Sequence, residues 1–342
     1  MVITLCRMTS SRTRVTTGPA AAIVTERVTV VVVNWNGAHL LAPCLDSLAA
    51  QTEPHRVLVV DNASTDGSAE VLARYPTVEV LKLDTNTGFA GGAQAGLEKC
   101  GTEFVAFLNN DATAEPDWLA GLLAPMVVDP GVAATTSRIL LTADGRINNA
   151  GGAVTRWGAG YDRGYGEPDG PPYDEPTDVG FFCGGACALR TSAARELGGF
   201  PVPYFLYYED TDLSWRLGLS GLRIRYAPAA VVHHLHSASS DQSSVTFAFH
   251  NQRNQLLTVL RNAPAGLAIA SLLRFLAITA LRVVRPGSEH TQRPQHRLRV
   301  LGAVLRLLPR TLSQRRAIGR QATVSRRVFR RRWVGASATA IR

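Results

Sequence analysis

From residue 28 to residue 108, short β-branched runs alternate with helix-patterned stretches, and this alternation restricts the fold more than any other feature. Residues 28–33 (VTVVVV) are β-branched throughout, the pattern of a parallel strand buried on both faces. A helical pattern follows over 38–51. Residues 56–60 read as a second strand, 78–83 as a third, 88–100 as a helix and 104–108 as a fourth strand. Strict alternation predicts an α/β, doubly wound sheet that binds ligands at the carboxyl ends of its strands.

Residues 142–180 are rich in Gly, Pro and Asp, too long for filler, and read as a substrate-facing lid or acceptor loop. FFCGGACALR then reads as a strand with a central Gly-Gly, EDTDLSWRLGLSG as a helix ending at Gly221, and LRIRYAP as another strand. With 342 residues, 46% of them hydrophobic, the chain suffices for one large α/β core, alone or with a smaller appendage. Its five cysteines are few and odd in number and include no Cys-x-x-Cys pair, which suggests neither a disulfide framework nor a thiolate zinc site and suits a reducing cytoplasm.

Charge divides the chain. From Asn251 onward there are 19 Arg, no Lys and one acid, Glu289, a net of +18; the total of +9 leaves −9 for the first 250 residues. An acidic body over 27–262, in two halves (27–141 and 142–262), therefore precedes a basic helical extension over 263–342. Residues 1–26 read as a loose leader without a signal peptide, with Met8 as an alternative start. The apolar stretch 265–281 is interrupted by Arg274 and falls short of the roughly 20 residues a spanning helix needs. It is expected to lie on a membrane or pack on the body. HRLRVLGAVLRLLPR has the composition of an interfacial helix on anionic lipid, or of a solvated basic bundle. No nucleic-acid module accompanies the basic tail, so no nucleic-acid partner is expected.

Polar residues collect at the predicted strand ends. Asn34 and Asn36 follow the first strand and Asp61 the second; together they form one crevice where Asp61 can accept a proton-bearing edge nitrogen of a base. Asn86, Gly88 and the glycines after them open a helix, where backbone amides and the helix dipole favour a phosphate. Asn109, Asn110 and Asp111 follow the fourth strand, and Asp111 can ligate a divalent cation. Glu209, Asp210 and Asp212 begin a helix behind Gly184 and Gly185, and one of them can act as a general base. His233, His234 and His236 cluster at a later strand end, where a neutral imidazole can complete a metal shell. The first strand lacks a dinucleotide-binding glycine fingerprint, which argues against an oxidoreductase.

Taken in order, VVNWNG, DNASTDGS, NTGFAGG, LNND, CGGA, YYEDTDLSWRL and HHLHSAS resemble the family 2 glycosyltransferases of GT-A fold, particularly the bacterial rhamnosyltransferase and galactofuranosyltransferase-like branch. The resemblance spans residues 28–261. It implies a GT-A-type mixed sheet in which Asp61 reads the base and Asn34, Asn36, Asn86, Gly88, Asn109 and Asn110 hold the nucleotide sugar. Asn109 stands at the first acid of the family's Asp-x-Asp motif, so Asp111 becomes the main carboxylate ligand of Mg²⁺ or Mn²⁺, with His234 as the late histidine. Asp210 falls on the catalytic base, with Glu209 and Asp212 tuning it or orienting the acceptor, and Gly184, Gly185 and Trp215 are assigned to acceptor binding. The implied reaction is a single inverting displacement from a nucleoside-diphosphate sugar, dTDP-rhamnose first, to a lipid-linked or polysaccharide acceptor at the inner face of the cell membrane. A catalytically silent nucleotide-sugar-binding protein is the other reading.

Overall fold

A computed structural model describes residues 26–235, 244–285, 287 and 293–335. The residues 1–25 of the expected leader, and His236, lie outside them. In chain order the elements are β1 (Val28–Asn34), α1 (Ala38–Ala49), β2 (His55–Asp61), α2 (Ser68–Leu72), β3 (Glu79–Lys82), α3 (Gly88–Lys99), β4 (Phe104–Leu108), β5 (Ala112–Ala114), α4 (Trp118–Val128), β6 (Val132–Leu141), β7 (Ile147–Asn149), β8 (Gly152–Val154), β9 (Gly160–Asp162), β10 (Ala186–Arg190), α5 (Thr191–Glu196), α6 (Glu209–Leu219), β11 (Arg223–His234), α7 (Val245–Asn262), α8 (Ala265–Val284), α9 (Pro294–Gln321) and α10 (Arg326–Trp333).

One mixed sheet runs in the order β3-β2-β1-β4-β10-β6-β11-β5, with β7 paired to β6. The first four are parallel, β10 is antiparallel to both neighbours, and β11 lies parallel to β6. Both faces are covered, which is why β1 is apolar at nearly every position: Val30 and Val32 enter one core and Val31 the other. The parallel register sets Asn34 directly opposite Asp61, so both side chains finish at one sheet edge.

Several boundaries differ from expectation. The strand read from FFCGGACALR begins only at Ala186, because Gly184 turns away to donate its amide to Asp210. The helix read to Gly221 stops at Leu219, and Gly221 takes the left-handed conformation (φ 86°) that ends it. β11 continues past LRIRYAP to His234 across an irregularity between Ala227 and Val231, beside Pro228. The 142–180 stretch holds three short strands, because β7 adds to β6 while β8 and β9 form a hairpin.

The basic helices pack on the body. Phe329 of α10 stacks on Trp215 of α6 with ring centroids 4.5 Å apart, and Val300 and Val304 of α9 join Leu256 and Leu257 of α7 in one buried cluster. The apolar stretch forms α8, three residues longer than the 265–281 read from the sequence. It is the one described helix long and apolar enough to cross a membrane.

Candidate active site

A cavity of about 620 Å³ opens at the carboxyl edge of the sheet. It is lined by Asn86, Gly88, Asn109, Asn110 and His234 from the strand ends and by Gly184, Gly185, Glu209 and Asp210. Phe205, Leu206, Tyr207 and Phe247 form an apolar wall, with Tyr207 and Phe247 edge to face at 4.7 Å.

Parallel pairing brings the strand ends together, and side-chain bonds lock them. Asn110 donates to Asn34 Oδ1 (2.9 Å), while Asn34 donates to the hydroxyls of Ser64 and Ser68 (3.2 and 3.0 Å). Asn34 is thus a fully buried brace across three strand ends. Asn36, left-handed at φ 49°, accepts from the Thr65 amide (2.8 Å) and shapes that turn without lining the cavity. Asp61 is buried, and its Oδ1 has no hydrogen-bond partner among the described residues. An unpartnered buried acceptor is costly, and a ligand N–H at this position would relieve that cost. The neighbouring Asn62, not singled out from the sequence, donates to Gly88 O (2.9 Å) and accepts from the Thr87 amide (2.9 Å), tying β2 to the start of α3.

β5 and β11 pair so that His234 lies opposite Ala112, which delivers Asp111 to the imidazole. His234 Nε2 is 3.0 Å from Asp111 Oδ1, and its Nδ1 is 2.8 Å from Asn148 Oδ1. This carboxylate and imidazole are close enough that the pair would hold a divalent cation between them. No group of three His, Cys, Asp or Glu that could hold a metal occurs among the described residues. His233 turns away to Glu115 (2.9 Å).

Glu209 and Asp210 occupy the first turn of α6, after a loop in which Phe205, Tyr207 and Tyr208 are all left-handed (φ 65°, 69° and 70°). Such non-glycine residues cost about 1–3 kcal/mol each and persist only where surrounding contacts impose them. Asp210 Oδ2 accepts from Gly184 N (3.0 Å) and Oδ1 from Thr211 N (2.5 Å). Burial raises its carboxyl above the usual aspartate range, while these donors pull it back toward ionisation. Glu209 is buried, with Oε2 unpartnered among the described residues; burial, then the charge of Asp210, push it well above the usual range. Both carboxyls are thus raised by burial, Glu209 the further of the two, while Asp210 has backbone donors that favour its ionised form. Asp162, at the end of β9, is a further acid the sequence did not single out. It is exposed at the residue level, yet the protein around its carboxyl and then the charge of Asp210 push it up to about 6.

Asn34, Asn36, Asp61 and Asp111 do not line the cavity, and neither do two further expected residues, Asp212 and Trp215. Asp212 is fully buried and spends both oxygens on Arg216 (2.8 Å), Arg261 (2.8 Å) and Asn262 (2.7 Å), an ion cluster joining α6 to α7. Trp215 lies under Phe329 and holds α10. Both corrections have one cause: at 100° per residue Asp212 sits about 200° around the helix from Asp210, and Trp215 shares the Asp212 face.

Comparison with known proteins identifies the family. Residues 29–198 match the family described as glycosyl transferase family 2. Pre-mycofactocin glycosyltransferase of Mycobacterium tuberculosis is 35% identical over 212 residues, which cover 61% of this chain and 43% of that protein. The chain thus spans under half the length of that relative. N-acetylglucosaminyl-diphospho-decaprenol L-rhamnosyltransferase of the same species is 31% identical over 259 residues, 66% of this chain and 82% of that protein. Among solved structures, mannosyltransferase PcManGT from Pyrobaculum calidifontis, in complex with GDP-Man and Mn²⁺, shares the fold at 20% identity and a TM-score of 0.52, over 86% of this chain and 85% of that one.

Proposed function

The chain belongs to glycosyltransferase family 2, and on that premise we propose that it is an inverting transferase moving a sugar from a nucleoside diphosphate to a hydroxyl of a lipid-linked or cell-envelope acceptor. The observation that carries the reading is that Asp210 lines the same cavity as Asn86, Asn109 and His234 at the strand ends. The donor lies along those ends, with its base near Asp61 and its diphosphate toward the start of α3 and Asp111. Asp210 takes the proton from the acceptor hydroxyl as that oxygen attacks the anomeric carbon. Glu209 keeps its proton and donates a hydrogen bond to a sugar hydroxyl. A divalent cation, Mg²⁺ or Mn²⁺, would be held by Asp111 and His234, and when bound it supplies charge neutralisation for the departing diphosphate. The apolar wall excludes water from the reacting centre and favours an acceptor with an apolar carrier.

A rhamnosyl donor is the first choice, supported by the relative whose name specifies L-rhamnosyl transfer. The test is nucleoside-diphosphate release from a panel of UDP-, dTDP- and GDP-sugars, with Mn²⁺ or excess chelator. One donor class should be turned over, and chelation or Asp111→Ala should abolish the reaction. Absence of binding to every donor would overturn the transferase reading, whereas full turnover in chelator would overturn only the metal assignment.

A further inference from the structure

The six carbonyls of residues 203–208 all have partners, and four of the six are held by helix α7. Pro203 O accepts from Arg253 (3.0 Å); Tyr204 O from Arg253 (2.7 Å) and Asn254 (3.0 Å); Leu206 O and Tyr207 O each from Asn254 Nδ2 (2.8 Å). The other two are bound elsewhere, Phe205 O by the Ala90 amide of α3 (3.1 Å) and Tyr208 O by the Asp212 amide (2.8 Å). A loop carrying three left-handed non-glycine residues is not held by its own conformational preference, so its geometry is imposed from outside. Asn254 is the centre of that imposition. It is completely buried, its amide spans carbonyls on three residues, and its own Oδ1 is fixed by Arg253 Nε (2.9 Å). Glu209 and Asp210 follow the loop directly.

We infer that Asn254 is a positioning residue for catalysis: through the Leu206 and Tyr207 carbonyls it fixes the entry into α6 and so sets Asp210 against Gly184 and the acceptor. The inference rests on the reading of Asp210 as the base. A general base displaced by about 1 Å loses on the order of 10² in rate, whereas donor contacts made by the strand ends stay intact.

The experiment is a double-mutant cycle with Asn254→Ala and Asp210→Asn in the full chain, reading kcat, donor KM and nucleoside-diphosphate affinity. Asn254→Ala should lower kcat by roughly 10²-fold with donor KM and nucleotide affinity within about threefold. In the Asp210→Asn background the same substitution should cost little more, because the group it positions is gone. A loss of equal size in both backgrounds, or one that falls on nucleotide affinity, would make Asn254 a general packing residue and overturn the inference. Undiminished turnover by Asp210→Asn alone would remove the base assignment itself. Should Asn254→Ala fail to give a cooperative melt, Asn254→Gln, which keeps the amide but shifts it by one methylene, enters the same cycle with the same expected and overturning results.

Discussion

Asp210 and Glu209 are adjacent carboxyls in one helix turn, yet burial lifts Glu209 further than Asp210, whose carboxylate accepts from two backbone amides, and single-atom substitutions can separate the roles. Asp210→Asn removes the proposed base and should lower turnover by roughly 10²–10⁴-fold. Glu209→Gln keeps the shape and the hydrogen-bond donor of a protonated carboxyl and should stay within about tenfold of the parent. Because burial raises the Asp210 carboxyl, the acid limb of kcat/KM should lie above the pH where an ordinary aspartate titrates, with activity rising as the group ionises. Equal losses from the two substitutions, or an acid limb at the usual aspartate pH, would contradict the division. The sequence carried these residues because the Gly-Gly, Glu-Asp and strand-end motifs are contiguous. It also held the signal that Asp212 and Trp215 face away, since the helical period alone turns them to the far side of α6. Asn62, Asn148 and Asn254 were not legible, because each acts through a partner at least 25 residues distant in the chain.

Among the elements, the alternating strands and helices up to β4 were readable because each is a local run with its own periodicity. The 203–208 loop was not, since no local preference puts Phe205, Tyr207 and Tyr208 in the left-handed region. Its fit against α3 depends on Gly88, itself at φ 71°, where an added Cβ would lie 2.1 Å from the Phe205 carbonyl oxygen. Gly88→Ala therefore meets rigid backbone and an unfavourable conformation together, at about 1–2 kcal/mol for the left-handed geometry alone. Its melting temperature and donor affinity should both fall. Gly101→Ala, with nothing within 4 Å of the new Cβ, should change neither. Unaltered donor affinity in Gly88→Ala would show that the junction of loop and α3 is not part of the donor site.

Over the whole molecule, the basic tail is both packing and surface. Ile269, Leu273 and Leu276 expose one side of α8, and Leu298, Leu305 and Leu312 form a seven-residue stripe on α9 among the exposed Arg299, Arg306, Arg310, Arg316 and Arg320. Apolar side chains with arginines suit shallow attachment to anionic lipid, each cation adding about 1 kcal/mol near the surface. Binding to anionic vesicles should weaken as salt rises, and changing Ile269, Leu273 and Leu276 together to Ser should release the chain without loss of soluble donor hydrolysis. Carbonate-resistant attachment would instead mean that α8 spans the bilayer. Removing the tail is the poorer test, because Arg315 and Arg326 donate to the Leu260 and Asn262 carbonyls at the end of α7, and Phe329 covers Trp215. That last contact also sets a clock on biosynthesis. Trp215 and Phe329 are 114 positions apart, so at 5–20 residues per second the ribosome takes roughly 6 to 23 s to make the ring that closes over α6 after making α6 itself. During that interval the nascent helix shows an indole to the cytosol, and chaperone occupancy on the ribosome should peak there and end when α10 emerges.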